Sequence, residues 1–387
     1  MLFGKEHRQL LKMNYPGREE YSTLLSSLGG FMEENIVPRS PNFDLHKEEA
    51  APFRNSLLEH GICQIPFPEE YGGLGLPFGV YVMAMELAGA ADPGIAMSAA
   101  IHNTAAEGTY RFASDSLKKR FLPAIISGRM VASFSLTEPS SGSDARAMKT
   151  RAKRRGSTYV LNGSKMFITN AGEADVYFVF ASTEKGPSAF LVEGSSKGLS
   201  FGNDIPKLGM RSSRTAEVRF TDCEVPEANL VGSEGEGFEY AKAMLNASRI
   251  IMGSICVGIA VAAFNQALAY SRQRKAFGSS ISGFQLIQEK IADMKTAITA
   301  GRLLCMHSAR LREEGADYSS EASQAKVYAT EMSAKVCDSA IQIFGGYGYT
   351  SDDVHRHWRD ARLLTIGEGT SEVLRLLIAR RELARSV

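Results

Sequence analysis

The chain has 387 residues, 44 lysines and arginines against 43 aspartates and glutamates, a net charge of +1, 44% hydrophobic residues and 36 glycines. At roughly 150 residues per domain, that length implies two or three domains with enough chain to bury a core. Near-neutrality removes the long-range attraction that a phosphate backbone or anionic leaflet exerts on a basic protein, so no nucleic-acid partner is expected. The five cysteines, Cys63, Cys223, Cys256, Cys305 and Cys337, contain no C-x-x-C pair. Reduced, buried thiols in a cytoplasmic compartment are therefore expected, rather than a disulfide framework or a zinc site. The first twenty residues mix cations and carboxylates without an apolar run, so no targeting segment is visible.

Residues 1–130 read as an N-terminal helical domain, with helices predicted over 21–37, 45–60, 77–90, 93–112 and 116–127. Asp92-Pro93 supplies an N-cap followed by proline at the first helical position, and Pro66, Pro68 and Gly72-Gly73-Leu74-Gly75 mark a loop. From 131 to 235 the period becomes two, which predicts a middle antiparallel β domain. Its strands are expected over 158–168, 176–181, 189–192, 199–201 and 217–220, with Asn162-Gly163 as a type I′ hairpin turn inside the first. Residues 236–387 return to the helical period, with Ala325, Tyr328, Ala329, Met332, Val336 and Ile343 on one apolar stripe, and predict a helix bundle. No charge occurs between Arg249 and Arg272, a span long enough to cross a bilayer. Its Ser254, Asn265, Gln266 and many small residues point to a buried bundle helix instead, so no membrane span is expected. Three consecutive blocks, α then β then α, do not match a doubly wound nucleotide fold.

Several segments carry polar chemistry. Phe134-Ser-Leu-Thr-Glu-Pro-Ser-Ser-Gly-Ser-Asp144 ends a strand in hydroxyls and a glycine, either a solvated turn or a cradle for a phosphate or a polar ring edge. Met166-Phe-Ile-Thr-Asn-Ala-Gly172 sets an aromatic beside a hydroxyl, either core or cover for a flat ring. Arg272-Gln-Arg-Lys-Ala-Phe-Gly278 complements a helix dipole or contacts a diphosphate through Arg274. The glycines of Gln342-Ile-Phe-Gly-Gly-Tyr-Gly348 are helix caps or allow a ligand close to the backbone. Glu368, between Gly367 and Gly369, is an ordinary loop acid or a base with room around a substrate. His355 and His357 near Asp353 lack further ligands at zinc spacing, so no metal is expected.

Taken in order, Leu136-Thr-Glu-Pro-x-x-Gly-Ser-Asp144, Phe167-Ile-Thr-Asn170, Arg274-x-x-Phe-Gly278, Gln342-Ile-Phe-Gly-Gly346, Arg359-Asp-Ala-Arg362 and Glu368-Gly-Thr-Ser371 resemble the acyl-CoA dehydrogenase family over nearly the whole chain. The resemblance implies an α+β multidomain fold with an N-terminal helical domain, a middle antiparallel β domain and a C-terminal four-helix bundle. It implies FAD lined by Phe134, Leu136, Thr137, Gly142 and Ser143, covered by Phe167, Ile168 and Thr169, and touched by Thr370. Arg274, Phe277, Gln342 and Gly346 would bind the diphosphate and adenosine of a neighbouring subunit's FAD in a homotetramer, a dimer of dimers.

The resemblance assigns Glu368 as the catalytic base that removes the α-proton of an acyl-CoA thioester while the β-hydrogen leaves as hydride to the flavin, giving a 2-enoyl-CoA. The developing enolate needs hydrogen bonds, and burial by the acyl chain would raise the base's pKa. Ser143, Asn246, Arg249, Gly367 and Glu368 would contact the substrate, and electron-transferring flavoprotein would take the electrons. Ser248, at the alternative base position of branched-chain members, cannot act as a base. Three departures stand out: Phe167 where many members have Trp, Gly367 where straight-chain enzymes often have Tyr, and Asn246 for a frequent Asp. Three alternatives are a decarboxylating glutaryl-CoA-type dehydrogenase, a member with oxygen chemistry such as a nitroalkane oxidase or flavin hydroxylase, and a non-catalytic acyl-CoA-binding member. Ala96, where the first carries arginine, and the presence of Glu368 weigh against them.

Overall fold

A computed structural model describes residues 2–350 and 352–384. Seven helices come first: α1 (Lys5–Asn14), α2 (Glu19–Asn35), α3 (Ser40–Asp44), α4 (Ala51–Glu59), α5 (Phe78–Ala91), α6 (Pro93–Phe112) and α7 (Asp115–Ile126). Asp92 caps α6 as expected, accepting from the Ile95 N–H at 2.9 Å. Of the helix expected over 45–60 only a second piece, α4, forms within that range; a first piece, α3, ends before it at Asp44. His46 takes a left-handed φ of 53° that ends the first piece, and Pro52 in the opening turn of α4 starts the second. The polar α1 was not expected; it is held by Glu6 and His7, whose partners lie far along the chain.

The middle layer is one sheet of β1 (Ala132–Ser135), β2 (Arg151–Arg155), β3 (Thr158–Thr169), β4 (Val176–Thr183), β5 (Gly186–Glu193), β6 (Leu199–Phe201), β7 (Thr215–Pro226) and β8 (Leu230–Val231). Its order is β6-β7-β3-β2-β4-β5-β8, with β1 beside β4. Most pairs are antiparallel, but β1 and β2 each run parallel to β4. The predicted Asn162-Gly163 turn is not one: β3 runs straight through it, and the tight turn joins Arg155 to Thr158 over Gly156, at φ 60°. Gly163 is required for another reason. A methyl group there would lie 2.6 Å from the Thr150 hydroxyl, so glycine lets that segment cross close to the strand.

The last block is α8 (Gly237–Gln273), a two-residue hairpin of β9 (Lys275–Ala276) and β10 (Ser279–Ser280), then α9 (Gln285–Glu313), α10 (Ser319–Phe344), α11 (Gly346–Thr350), α12 (Asp352–Leu364) and α13 (Ser371–Ala384). Helix α8 is long and apolar enough to span a bilayer, yet 83% of its most apolar window is buried inside the protein. It serves as the core helix, with α5 pressed directly on it. A methyl group at Gly89 would lie 2.5 Å from the Ile255 carbonyl oxygen, and one at Gly258 would lie 2.1 Å from that of Glu86. All five cysteines are free and buried, as the sequence predicts.

Buried charge ties the layers together. Arg302 of α9 grips Glu86 of α5 through Nε at 2.9 and 3.0 Å and reaches Glu6 of α1 at 2.6 Å. Burial raises the Glu86 pKa, but Arg302 and His7 more than offset this and hold it well below the carboxylate range. Arg359 of α12 pairs both nitrogens with Asp44 and donates to the Leu208 carbonyl, while Asp360 accepts from the Met210 N–H. The Arg359-Asp-Ala-Arg362 segment is thus a latch holding α12 to both other domains.

His102, fully buried in α6, accepts from the Ala132 N–H through Nδ1 at 3.0 Å and faces the Ile125 carbonyl through Nε2 at 3.0 Å. Those partners fix a neutral ring with its hydrogen on Nε2. Burial pushes its pKa from 6.5 down to about 4. Between those pH values the unfolded chain binds a proton that the native state refuses, so stability falls as pH drops, by at most about 1.4 kcal/mol per pH unit. Chemical denaturation across this range should show a steeper acid loss in wild type than in His102→Gln.

Candidate active site

The segment after β1 is held from below by a buried ion pair. Lys165 of β3, wholly buried, donates to Glu138 at 2.7 Å and to the Leu136 carbonyl at 3.1 Å. The Glu138 carboxylate also accepts the backbone N–H groups of Lys149 and Thr150 at 2.6 and 3.0 Å. Burial raises the Glu138 pKa, yet these donors bring it below its usual value, while burial pushes Lys165 down to about 8. Glu138 and Ser141 exchange backbone hydrogen bonds, which closes the turn. Phe134 and Leu136 lie buried against the sheet, Thr137 is half-buried, and Gly142 and Ser143 project into solvent.

Two bulges in the β3–β7 ladder determine where β3 points its side chains. The second falls between Lys165 and Ile168, with Phe167 at a left-handed φ of 59°. One extra residue reverses the alternation, so Phe167 turns out, 62% exposed, while Ile168 is 2% exposed. The neighbouring Thr169 carbonyl accepts from Ser133 at 2.7 Å, and Asn170 joins domains by donating to the carbonyls of Ser98 and Ala132. An outward aromatic, a buried aliphatic and a half-buried hydroxyl therefore line one end of the sheet beside the 136–144 turn.

Arg274, Gly345 and Gly346 line an open cleft of about 470 Å³ together with Tyr270, Phe344 and Tyr347. The Arg274 guanidinium stands 5.7 Å from the Tyr347 ring and has no carboxylate partner among the described residues. Phe277 is 97% exposed and Gln342 is also at the surface. Side chains at Gly345 and Gly346 would meet nothing within 4 Å. These groups sit on α8, α10 and the connections after them, in a separate cluster from the β-domain residues.

Glu368 forms the third group, in the connection between α12 and α13. It takes a left-handed φ of 57°, followed by Gly369 at 97°, a conformation costly for a residue with a side chain. Its Oε2 is shielded from solvent and has no hydrogen-bond partner. Burial by the protein itself, before any acyl chain, raises its pKa, while Ser248, Arg249 and Lys326 pull the other way. Arg249 of α8 donates to Asn246 at 2.7 Å, and buried Lys326 of α10 donates to the Gly369 carbonyl at 2.6 Å. Thr370 caps α13, its hydroxyl accepting from the Val373 N–H. Gly367 has free space, with only the Leu363 carbonyl 3.9 Å from where a Cβ would be. The sequence reading missed Lys165, Glu138 and Lys326. Lys165 carried a signal, being a lysine at an inward position of β3; Lys326 carried one too, in the apolar stripe of α10.

The residues present fit a flavin dinucleotide. The sheet end offers an outward aromatic face with hydroxyl and backbone donors beside it, and the cleft offers an unneutralised guanidinium with glycine-lined access. The fold and these groups fit the class of flavin-dependent oxidoreductases. Family models for the acyl-CoA dehydrogenase N-terminal, middle and C-terminal domains match residues 18–129, 133–223 and 235–383. The short-chain specific acyl-CoA dehydrogenase of Clostridium acetobutylicum is 39% identical over 360 residues, 90% of this chain and 94% of the relative. Butyryl-CoA dehydrogenase from Megasphaera elsdenii superposes with a TM-score of 0.92 at 36% identity, covering 94% of this chain and 98% of that one. A chain solved in work on the electron transferring flavoprotein of Acidaminococcus fermentans reaches a TM-score of 0.93 at 41% identity, over 95% and 98% of the two chains. The chain belongs to the acyl-CoA dehydrogenase family and is an FAD-dependent oxidoreductase of acyl-CoA thioesters.

Proposed function

We propose that the chain oxidises a short-chain acyl-CoA to the 2-enoyl-CoA with Glu368 as the base. The observation that carries this reading is the Glu368 carboxylate: shielded, unpartnered at Oε2 and held on a left-handed backbone. A carboxylate with no hydrogen bond at one oxygen is a stronger base than one satisfied by donors. FAD, when bound, supplies the two-electron acceptor for the β-hydrogen. Phe134, Leu136, Thr137, Gly142, Ser143, Phe167, Ile168, Thr169 and Thr370 would hold it, with Arg274, Phe277, Gln342 and Gly346 acting on a neighbouring subunit's cofactor in a homotetramer. Ser143, Asn246, Arg249 and Gly367 would contact the thioester and its CoA arm.

The α-proton passes to a Glu368 oxygen, and negative charge develops on the thioester oxygen. The Glu368 backbone N–H would donate to that oxygen, a hydrogen bond that strengthens as charge grows. The short-chain relatives support a small acyl group, and Ala96, buried in α6, offers no cation for a second carboxylate. Electron-transferring flavoprotein is the proposed acceptor and the cytoplasm the proposed location.

Anaerobic mixing of the flavin-loaded protein with butyryl-, octanoyl-, isobutyryl- and glutaryl-CoA tests this. Butyryl-CoA should bleach the flavin fastest of the four. Fastest bleaching by octanoyl-CoA or glutaryl-CoA would overturn the short-chain assignment, and a protein that stays yellow with all four would overturn the reaction.

A further inference from the structure

The bundle core holds a buried charge. Lys326 lies on the buried face of α10 between Ala325 and Ala329, with none of its surface exposed. Its ammonium makes one hydrogen bond, of 2.6 Å, to the Gly369 carbonyl. A buried cation satisfied by a single neutral acceptor costs stability relative to an apolar side chain of the same length. A departure from core chemistry of this kind marks a functional position.

The surroundings show what the charge faces. From α8 come Arg249 and Cys256, from α10 itself comes Glu331, and from the connection before α13 comes Glu368. Burial keeps the Cys256 thiol neutral, and Glu331 is already paired with Arg375 of α13 at 2.7 Å. Glu368 is thus the one carboxylate facing Lys326 without an ion-pair partner among the described residues. Arg249 also lies near this peptide, its guanidinium 3.8 Å from where a methyl group at Gly369 would be. Two buried cations from two different helices therefore lie close to the Glu368–Gly369 connection, one of them gripping its backbone.

We propose that Lys326 is a positioning residue that locks the left-handed Glu368–Gly369 turn through the Gly369 carbonyl and, by its charge, keeps the Glu368 carboxylate ionised for proton abstraction. This rests on Glu368 being the base. The carbonyl bond, 2.6 Å long, ties the left-handed turn at Glu368 and Gly369 to α10 and so fixes where the carboxylate can reach. The ammonium sets a positive potential that burial alone would not provide. It acts through Glu368 and touches no substrate.

The test follows flavin reduction by butyryl-CoA across pH in the flavin-loaded wild type, K326M, K326Q and E368Q. K326M, which removes both the hydrogen bond and the charge, should slow reduction about tenfold to a hundredfold, as a small misplacement of a reacting group does. Its acid limb should move up by about one pH unit, because a lost cation favours the protonated carboxyl. K326Q, still a donor but neutral, should recover part of the rate while keeping the shifted limb. A merely structural lysine would leave the pH profile in place. Wild-type rates and profiles in both lysine variants, with E368Q inactive, would overturn the proposal alone. An E368Q protein that reduces its flavin at the wild-type rate would instead overturn the base assignment and this proposal with it. Loss of flavin or fold in both lysine variants would assign Lys326 to stability and also overturn it.

Discussion

Glu368→Gln should keep its fold and its flavin yet reduce that flavin with acyl-CoA about a thousandfold more slowly than wild type, the usual scale for removing a positioned general base. The substitution keeps size and removes only the proton acceptor. The left-handed backbone at Glu368 and the Lys326 bond to the next carbonyl do not depend on the carboxylate. Wild type should also show an acid limb that the variant lacks. The ionised carboxylate is the active form, so activity is lost as pH falls through its pKa. Burial places that pKa above the ordinary value of 4.5 despite the opposing pull of Ser248, Arg249 and Lys326. Rapid-mixing reduction at several pH values reads both effects, and a Gln variant with the wild-type rate would remove Glu368 from the mechanism.

How far the sequence alone reached is clearest residue by residue. The three-block order and most helices follow from period, because α6 and α7 carry both a hydrophobic pattern and a capping residue, Asp92 and Ser114. The Glu368 segment stood out by its flanking glycines, and the one at 369 does need its positive φ. The Asn162-Gly163 reading failed because a glycine demanded by a close crossing of Thr150 looks the same in sequence as one demanded by a turn. The outward turn of Phe167 was equally hidden. A bulge depends on registry with β7, some fifty residues on, and no local pattern records it. The partners of Lys165 and Lys326 escaped for the same reason. Glu138 and Gly369 come from loops, at separations that follow no helical or strand period.

Those long-range partners tie the three blocks to one another. Glu368 follows α12, whose Arg359 and Asp360 are latched to Asp44 and to the 208–210 backbone. The sheet end is bound to α6 through Asn170 and His102. The Glu368 connection and the sheet end are thus each held to an element from another domain by buried polar contacts, which set their geometry.

Lys165→Met should be the most damaging change at the sheet end, costing about 3–5 kcal/mol, the scale for breaking one side of a buried ion pair. The methionine fills the volume of the lysine, so packing is retained. Glu138, however, is left buried at 4% exposure with two backbone N–H donors and no cation. The 136–144 turn loses its tether, because the ammonium also held the Leu136 carbonyl. Flavin should then dissociate at concentrations where wild type stays loaded, since Thr137, Gly142 and Ser143 are carried on that turn. The double variant Lys165→Met, Glu138→Gln should recover part of the stability by removing the stranded charge, but less of the flavin affinity, because the tether to Leu136 stays absent. Thermal denaturation with and without added FAD separates the two effects. Equal recovery of both in the double variant would show that the pair matters only for its charge balance, and unchanged stability in Lys165→Met would show that it does not organise the turn.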